Sequence, residues 1–201
     1  MAEGTDEHSA PRGWREALAS TLAAFEGPGT IAWVSVTALA ISVFFFASDL
    51  WRGRSFKLLG AHDVVFFLGL FAAHLLLDAG GQARLEKWVG EISNITLFVL
   101  AAGSILLRMP FTLPYARDEV DPQHWHSPLF LRINYFITAG WAAAFLVAAL
   151  SGWYGDAVLN DSNNIWTGWV IQLAAMLAAI RFTAWYPDHA RAKALAAKAR
   201  G

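Results

Sequence analysis

Residues 133–155, INYFITAGWAAAFLVAALSGWYG, run for 23 positions between Arg132 and Asp156 without one charged side chain. A charge at the bilayer centre costs about 2.5 to 3.5 kcal/mol, so membrane spans stand out as charge-free gaps. Four more gaps follow: 22 residues between Glu26 and Asp49, 14 between Asp63 and Asp78, 16 between Glu91 and Arg108, and 19 between Asp161 and Arg181. Crossing the hydrocarbon takes about 20 helical residues, within a range of roughly 17 to 25. The two short gaps suffice if their terminal charges sit at the interface, where long side chains snorkel and carboxylates stay hydrated. The expected spans are 30–50, 63–80, 90–108, 132–154 and 165–186.

Composition agrees. Counting Gly and leaving out Tyr, 125 of 201 residues are apolar, about 62%, against roughly 45–50% in soluble chains. Trp and Tyr favour the headgroup level, and Trp33, Trp51, Trp88, Trp153, Tyr154, Trp166, Trp169, Trp185 and Tyr186 fall near the expected edges. Runs such as LFVLAAGSILL do not alternate as barrel strands do. The expected fold is therefore all-α, a polytopic bundle of five transmembrane helices. The formal net charge of −1 offers no basic field for phosphates, so nucleic acid is not an expected partner. With no Cys in the chain, disulfides, thiolate metal sites and Cys nucleophiles are excluded.

Basic residues are retained in the cytoplasm. Eleven Lys and Arg fall on the side of Arg52, Arg108, Arg117, Arg132 and the C-terminus, and four on the side of Arg12, Arg15, Arg84 and Lys87. This bias predicts the N-terminus outside and the C-terminus inside. The first 29 residues are polar and lack an apolar core segment, so no cleavable signal peptide is expected. Within them, Trp14, Leu18, Leu22 and Phe25 share one helical face, the pattern of an interfacial amphipathic helix. Residues 188–201 form a basic, Ala-rich tail with strong helix propensity, expected to meet anionic lipid in the cytoplasm.

The third loop carries Pro110, Pro114, Pro122 and Pro128, which argues for a structured connector and against a continuing helix. His124 and His126 flank Trp125, but no third ligand is nearby, so no metal site is expected and Trp125 reads as an interfacial contact residue.

Ionisable groups at membrane depth are functional candidates, although pairing between helices is their commoner use. His74 and Asp78 lie at i and i+4 on one face of span two. They suit a proton relay, a structural hydrogen bond, or axial ligation of a pigment or haem by His74. If spans two and three form a hairpin, Asp63 meets Arg108 at the inner interface, and Asp78 meets Ser93 and Asn94 at the outer one. Asn134, Gln172 and Arg181 complete the polar set, with amides expected to bridge helices. No phosphate loop, Ser-His-Asp set or HExxH pattern appears, and no enzyme activity is expected.

From Trp88 to Pro187 the ordered features resemble the bacterial intracellular septation protein A family of small inner-membrane-spanning proteins. The matching features are a Trp before a hydrophobic span and a basic-Pro junction at Arg108 and Pro110. A Pro-bearing loop ending in Trp125, a span with Asn134 and Trp141, and an Asn164-Ile165-Trp166 entry to the last span continue the pattern. The chain departs from it in a long acidic N-terminus, a longer third loop and Val170 in place of Lys. What the resemblance implies is a five-helix bacterial inner-membrane protein of envelope or septation maintenance, acting through partners.

The first functional expectation is a non-enzymatic accessory or interaction subunit, whose partners are membrane lipids and other membrane proteins or further copies of itself. A small transporter or channel using His74 and Asp78 is one alternative. A pigment- or quinone-associated subunit of an energy-converting complex is the other.

Overall fold

A computed structural model describes residues 30–53 and 56–199. The amphipathic helix expected within residues 1–29 lies outside the described residues, as do Arg54 and Arg200. Six α-helices follow in order: α1 Thr30–Trp51, α2 Leu58–Leu76, α3 Ala79–Leu106, α4 Leu113–Glu119, α5 Pro128–Trp153 and α6 Ile171–Lys198. A single 3₁₀ turn, Pro122–His124, separates α4 from α5, and no strand occurs among the described residues. The fold is all-α, and five helices are long and apolar enough to cross a membrane: Ala32–Trp51, Leu58–Leu76, Ala79–Leu106, Pro128–Val158 and Trp166–Lys198.

The helices run beyond the expected spans. The second helix begins at Leu58 and not at 63, and the third begins at Ala79, well before residue 90. Charge ends a hydrophobic window, but it does not end a helix. At Leu77 the backbone turns extended, and the Asp78 carboxylate accepts the Gly81 N–H at 2.8 Å, starting α3 there. Arg84, Glu86 and Lys87 therefore ride exposed on helical turns. Twenty-eight residues of α3 rise about 42 Å against about 30 Å of hydrocarbon, so the charged first turns project beyond it. Likewise α5 starts at Pro128, capped by the Ser127 hydroxyl accepting from Phe130 N at 3.2 Å. The last helix passes through Pro187 and continues to Lys198.

The core is α5, flanked by α3 and α6, while α1 packs chiefly on α2 and α2 meets α3 over a short stretch. Half of the α5 window is buried, against 6 to 11% in the other four. Its small residues Ala142, Ala144, Ala148 and Ala149 are the means, because they let two helices approach closely. Ala101 of α3 and Ala142 and Phe145 of α5 join Phe111 of the connector in one apolar cluster. An α1–α2 pair thus stands beside a three-helix core, and α2 runs along α3 with few close approaches.

The proline-bearing connector is folded into that core. Arg108 takes φ 57°, the left-handed position that closes a helix, and Met109 N returns to the Ser104 carbonyl at 2.8 Å. Phe111 N then donates to Ser104 Oγ at 3.1 Å. Thr112 Oγ1 lies 2.8 Å from Thr138 Oγ1 and 3.3 Å from Asn134 Oδ1, while Asn134 Nδ2 donates to the Phe130 carbonyl at 3.0 Å. Asn134 is 2% exposed, so its amide is satisfied entirely within the protein.

Candidate functional site

Polar groups gather at the two ends of the bundle. At the end that joins α5 to α6, α5 widens into a π turn, Tyr154–Val158, with Leu159 N bonded to the Tyr154 carbonyl at 3.0 Å. Asn160 turns the chain at φ 51°, a conformation Asn tolerates. Asp161 then accepts from Asn163 N at 3.2 Å and Asn164 Nδ2 at 3.3 Å, and Asn164 Oδ1 accepts from Trp166 N at 3.1 Å. A second π turn, Trp166–Val170, leads into α6. Such turns make up well under 1% of residues in proteins and favour functional sites.

Between these turns and α3 lies a cavity of about 580 Å³, lined by Glu86, Lys87, Glu91, Asp156, Asp161 and Gln172 among others. Two glycines make room for it. A Cβ at Gly152 would overlap the Glu91 carboxylate, and one at Gly155 would overlap Thr167 Oγ1. Asp156 is 7% exposed, and Glu91 lines the same cavity. Among the described residues no N–H donates to the Asp156 carboxyl. Lys87 Nζ, 5.3 Å from the Trp88 ring centroid, donates instead to the Asp156 backbone carbonyl at 3.3 Å. Ser151 Oγ and Gln172 Nε2 both donate to the Thr167 carbonyl, at 2.9 and 3.1 Å, and Asn94 Nδ2 reaches Gln172 Oε1 in a long contact of 3.5 Å.

The opposite end, around α4, is held by charge. Lys57 Nζ lies 3.0 Å from Asp49 and 3.4 Å from Asp118, and stands 5.0 Å from the Tyr115 ring centroid. Burial, together with the nearby Asp63, Asp49 and Asp118 carboxylates, pushes the Tyr115 phenol up to about 12. His62 Nδ1 is 3.3 Å from Asp63, and its ring stacks on Phe66. Trp125 Nε1 donates to the Val120 carbonyl at 2.8 Å, with the Arg117 guanidinium 5.5 Å from its ring centroid. Trp125 therefore pins the connector internally.

Several expected partnerships are not formed. Asp63 faces His62 and not Arg108, which is exposed in the turn after α3. Asp78 is engaged in capping α3, so it meets neither Ser93 nor Asn94 and does not pair with His74. An N-cap carboxylate points back along its own helix start, which takes it away from the preceding helix face. The His74 carbonyl accepts from Gln82 Nε2 at 2.9 Å, and the Ser93 carbonyl accepts from Thr96 Oγ1. Arg181 is exposed. Of the expected polar set, the structure brings together Asn94 and Gln172, which bridge α3 and α6 beside the acid pair. In the sequence Glu91 and Asp156 stand only at the edges of charge-free gaps, and Gly152 and Gly155, just before Asp156, are the signal of space beside it.

No family model, curated protein or solved structure matches the chain.

Proposed function

We propose that the protein is a non-enzymatic accessory subunit of a membrane assembly that receives a small charged solute in the pocket at its Asp156 end. One observation carries this reading: Asp156, a residue 7% exposed whose carboxyl accepts no N–H among the described residues, lines a cavity of about 580 Å³. An acid beside two π turns at the wall of a cavity is the arrangement expected of a binding site. The site replaces the His74 and Asp78 pair of the transporter alternative, because Asp78 serves as a cap.

The membrane is proposed to be a bacterial inner membrane, with the N-terminus outside and the C-terminus inside. Supporting this are the eleven-to-four bias of basic residues and the septation protein A resemblance. The Asp156 pocket then opens outward.

Because the chain has no Cys, Ser162→Cys at the pocket gives a unique label position. Its reaction with a water-soluble maleimide in native membranes is expected to slow in the presence of small charged solutes. Equal labelling with charged, neutral and no solute would overturn the pocket. Purification from native membrane as a lone monomer would overturn the accessory role.

A second reading is favoured by one further observation. An apolar cavity of about 600 Å³ between α2 and α3 is lined by Val65, Phe66, Leu70 and Leu100, with His62 among them. That lining suits a quinone or pigment with its polar group at His62 and not at His74. A native preparation with neither extractable quinone nor a visible absorption band would dismiss it.

A further inference from the structure

We propose that the groove between α2 and α3 binds a hydroquinone with an apolar tail, whose phenolic O–H is donated to His62 Nε2; this rests on the second reading above, which places a quinone or pigment in that groove.

Shape sets the ligand's outline. The lining runs from Leu58 to Ala73 on α2 and from Leu85 to Leu100 on α3, about 22 Å of helix at 1.5 Å per residue. Ala61, Gly69 and Ala73 keep it open, and a Cβ at Gly69 would meet nothing within 4 Å. Its two polar side chains are His62, four positions from Leu58, and Thr96, four positions from Leu100. Because α2 and α3 run antiparallel through the turn at Leu77, both fall toward one end, the end of Lys57 and Tyr115. The remaining lining is hydrocarbon. A polar head at one rim with a chain laid along two helices is the outline of an amphipathic membrane solute.

Hydrogen bonding sets the head group. Thr96 Oγ1 donates its hydrogen to the Ser93 carbonyl at 2.9 Å. His62 Nδ1 lies 3.3 Å from Asp63 Oδ1, and a carboxylate only accepts, so in the neutral ring Nδ1 carries the proton and Nε2 is an acceptor. Nε2 is buried and has no hydrogen-bond partner among the described residues. The polar lining thus presents acceptors and no donor. That suits the O–H of a hydroquinone and leaves the carbonyls of a quinone without a partner. The Phe66 ring, parallel to His62 with centroids 5.7 Å apart, supplies an aromatic wall for an aromatic head. Nε2 is also walled in, so a slender O–H reaches it more readily than the centre of a pigment macrocycle.

The test uses the full-length protein in detergent under nitrogen, titrated separately with decylubiquinol, decylubiquinone and decanol, with bound molecules counted by native mass spectrometry. The expected result is one decylubiquinol per chain, held about tenfold more tightly than decylubiquinone, with decanol weaker than both. His62→Phe keeps the ring and removes the acceptor, so both decylubiquinone forms should then bind equally. Gly69→Leu should fill the groove and abolish both, with a near-native thermal melt establishing that each variant is folded. Haemin, followed by visible absorption, is expected to show no binding. Equal binding of the two forms to the wild-type protein, or tighter binding of the quinone, would overturn the donor head group and leave the groove reading standing. Decanol binding as tightly as the hydroquinone would overturn the aromatic head, a preference that survives His62→Phe would overturn the role of His62, and haemin ligation would overturn the ligand class. No binding of any of these probes to the wild-type protein would overturn this proposal and the second reading together.

Discussion

The two ends of the bundle handle a similar number of charged groups in opposite ways. Around Tyr115, one Lys lies between two Asp residues that belong to different elements, so electrostatics fastens the α1–α2 pair to α4. Around Asp156 the one nearby Lys bonds a backbone carbonyl, and two acids face each other across glycine-lined space. One end spends its charges on cohesion, and the other keeps them uncompensated where a solute can reach. The difference teaches that a charge at a membrane edge is ambiguous until its partner's chemistry is known.

The comparison is broken most sharply at Gly152. A Gly152→Leu side chain must displace the Glu91 carboxylate, and overpacking of this kind costs about 1–3 kcal/mol. A thermal melt in detergent should fall by several degrees, while Gly90→Ala, which has open space around its Cα, should leave it unchanged. Equal melts for both would mean that the Asp156 end is plastic and not a shaped pocket.

At the other end, Lys57→Met leaves Asp49 and Asp118 without their shared cation. The expected loss is about 1–2 kcal/mol. It should be accompanied by faster proteolysis within the 107–127 connector, because α4 loses its link to the α1–α2 pair. An unchanged cleavage rate would show that Thr112 and Asn134 hold the connector alone.

Tyr115 provides the next test, by pH. Its folded value of about 12 lies above the ordinary value near 10. The stability it contributes is therefore fully present below about pH 10 and is lost as pH rises toward 12. Absorbance near 295 nm should show one tyrosine ionising about two pH units late, and Tyr115→Phe should remove that step. The smallest effect is expected from Arg191→Ala, which breaks an exposed i,i+3 pair with Asp188. That change should stay within about 0.5 kcal/mol.

Five spans were legible because the desolvation of charge acts on every residue and leaves gaps in the sequence. The same signal is silent on where α3 starts, since Arg84, Glu86 and Lys87 can extend a helix into water as readily as they can form a loop. Asp78 illustrates the limit of spacing arguments. Its i+4 relation to His74 presupposed one continuous helix, whereas the chain turns at Leu77 and uses that carboxylate as a cap. Glu91 and Asp156 are 65 positions apart, and only the packing of α3 on α5 brings them together. The contact of Thr112 with Asn134 and Thr138 is equally hidden in the sequence, because it depends on the left-handed turn at Arg108.

The central claim is that α3 and α5 cross the membrane and carry the Asp156 pocket and the Tyr115 cluster to opposite aqueous faces. It is tested most directly by placing a single cysteine at Ser162→Cys and, separately, at Gln123→Cys, and labelling sealed, uniformly oriented vesicles with a membrane-impermeant maleimide. The account predicts that one position reacts before lysis and the other only after it. Reaction of both positions from the same side would contradict it.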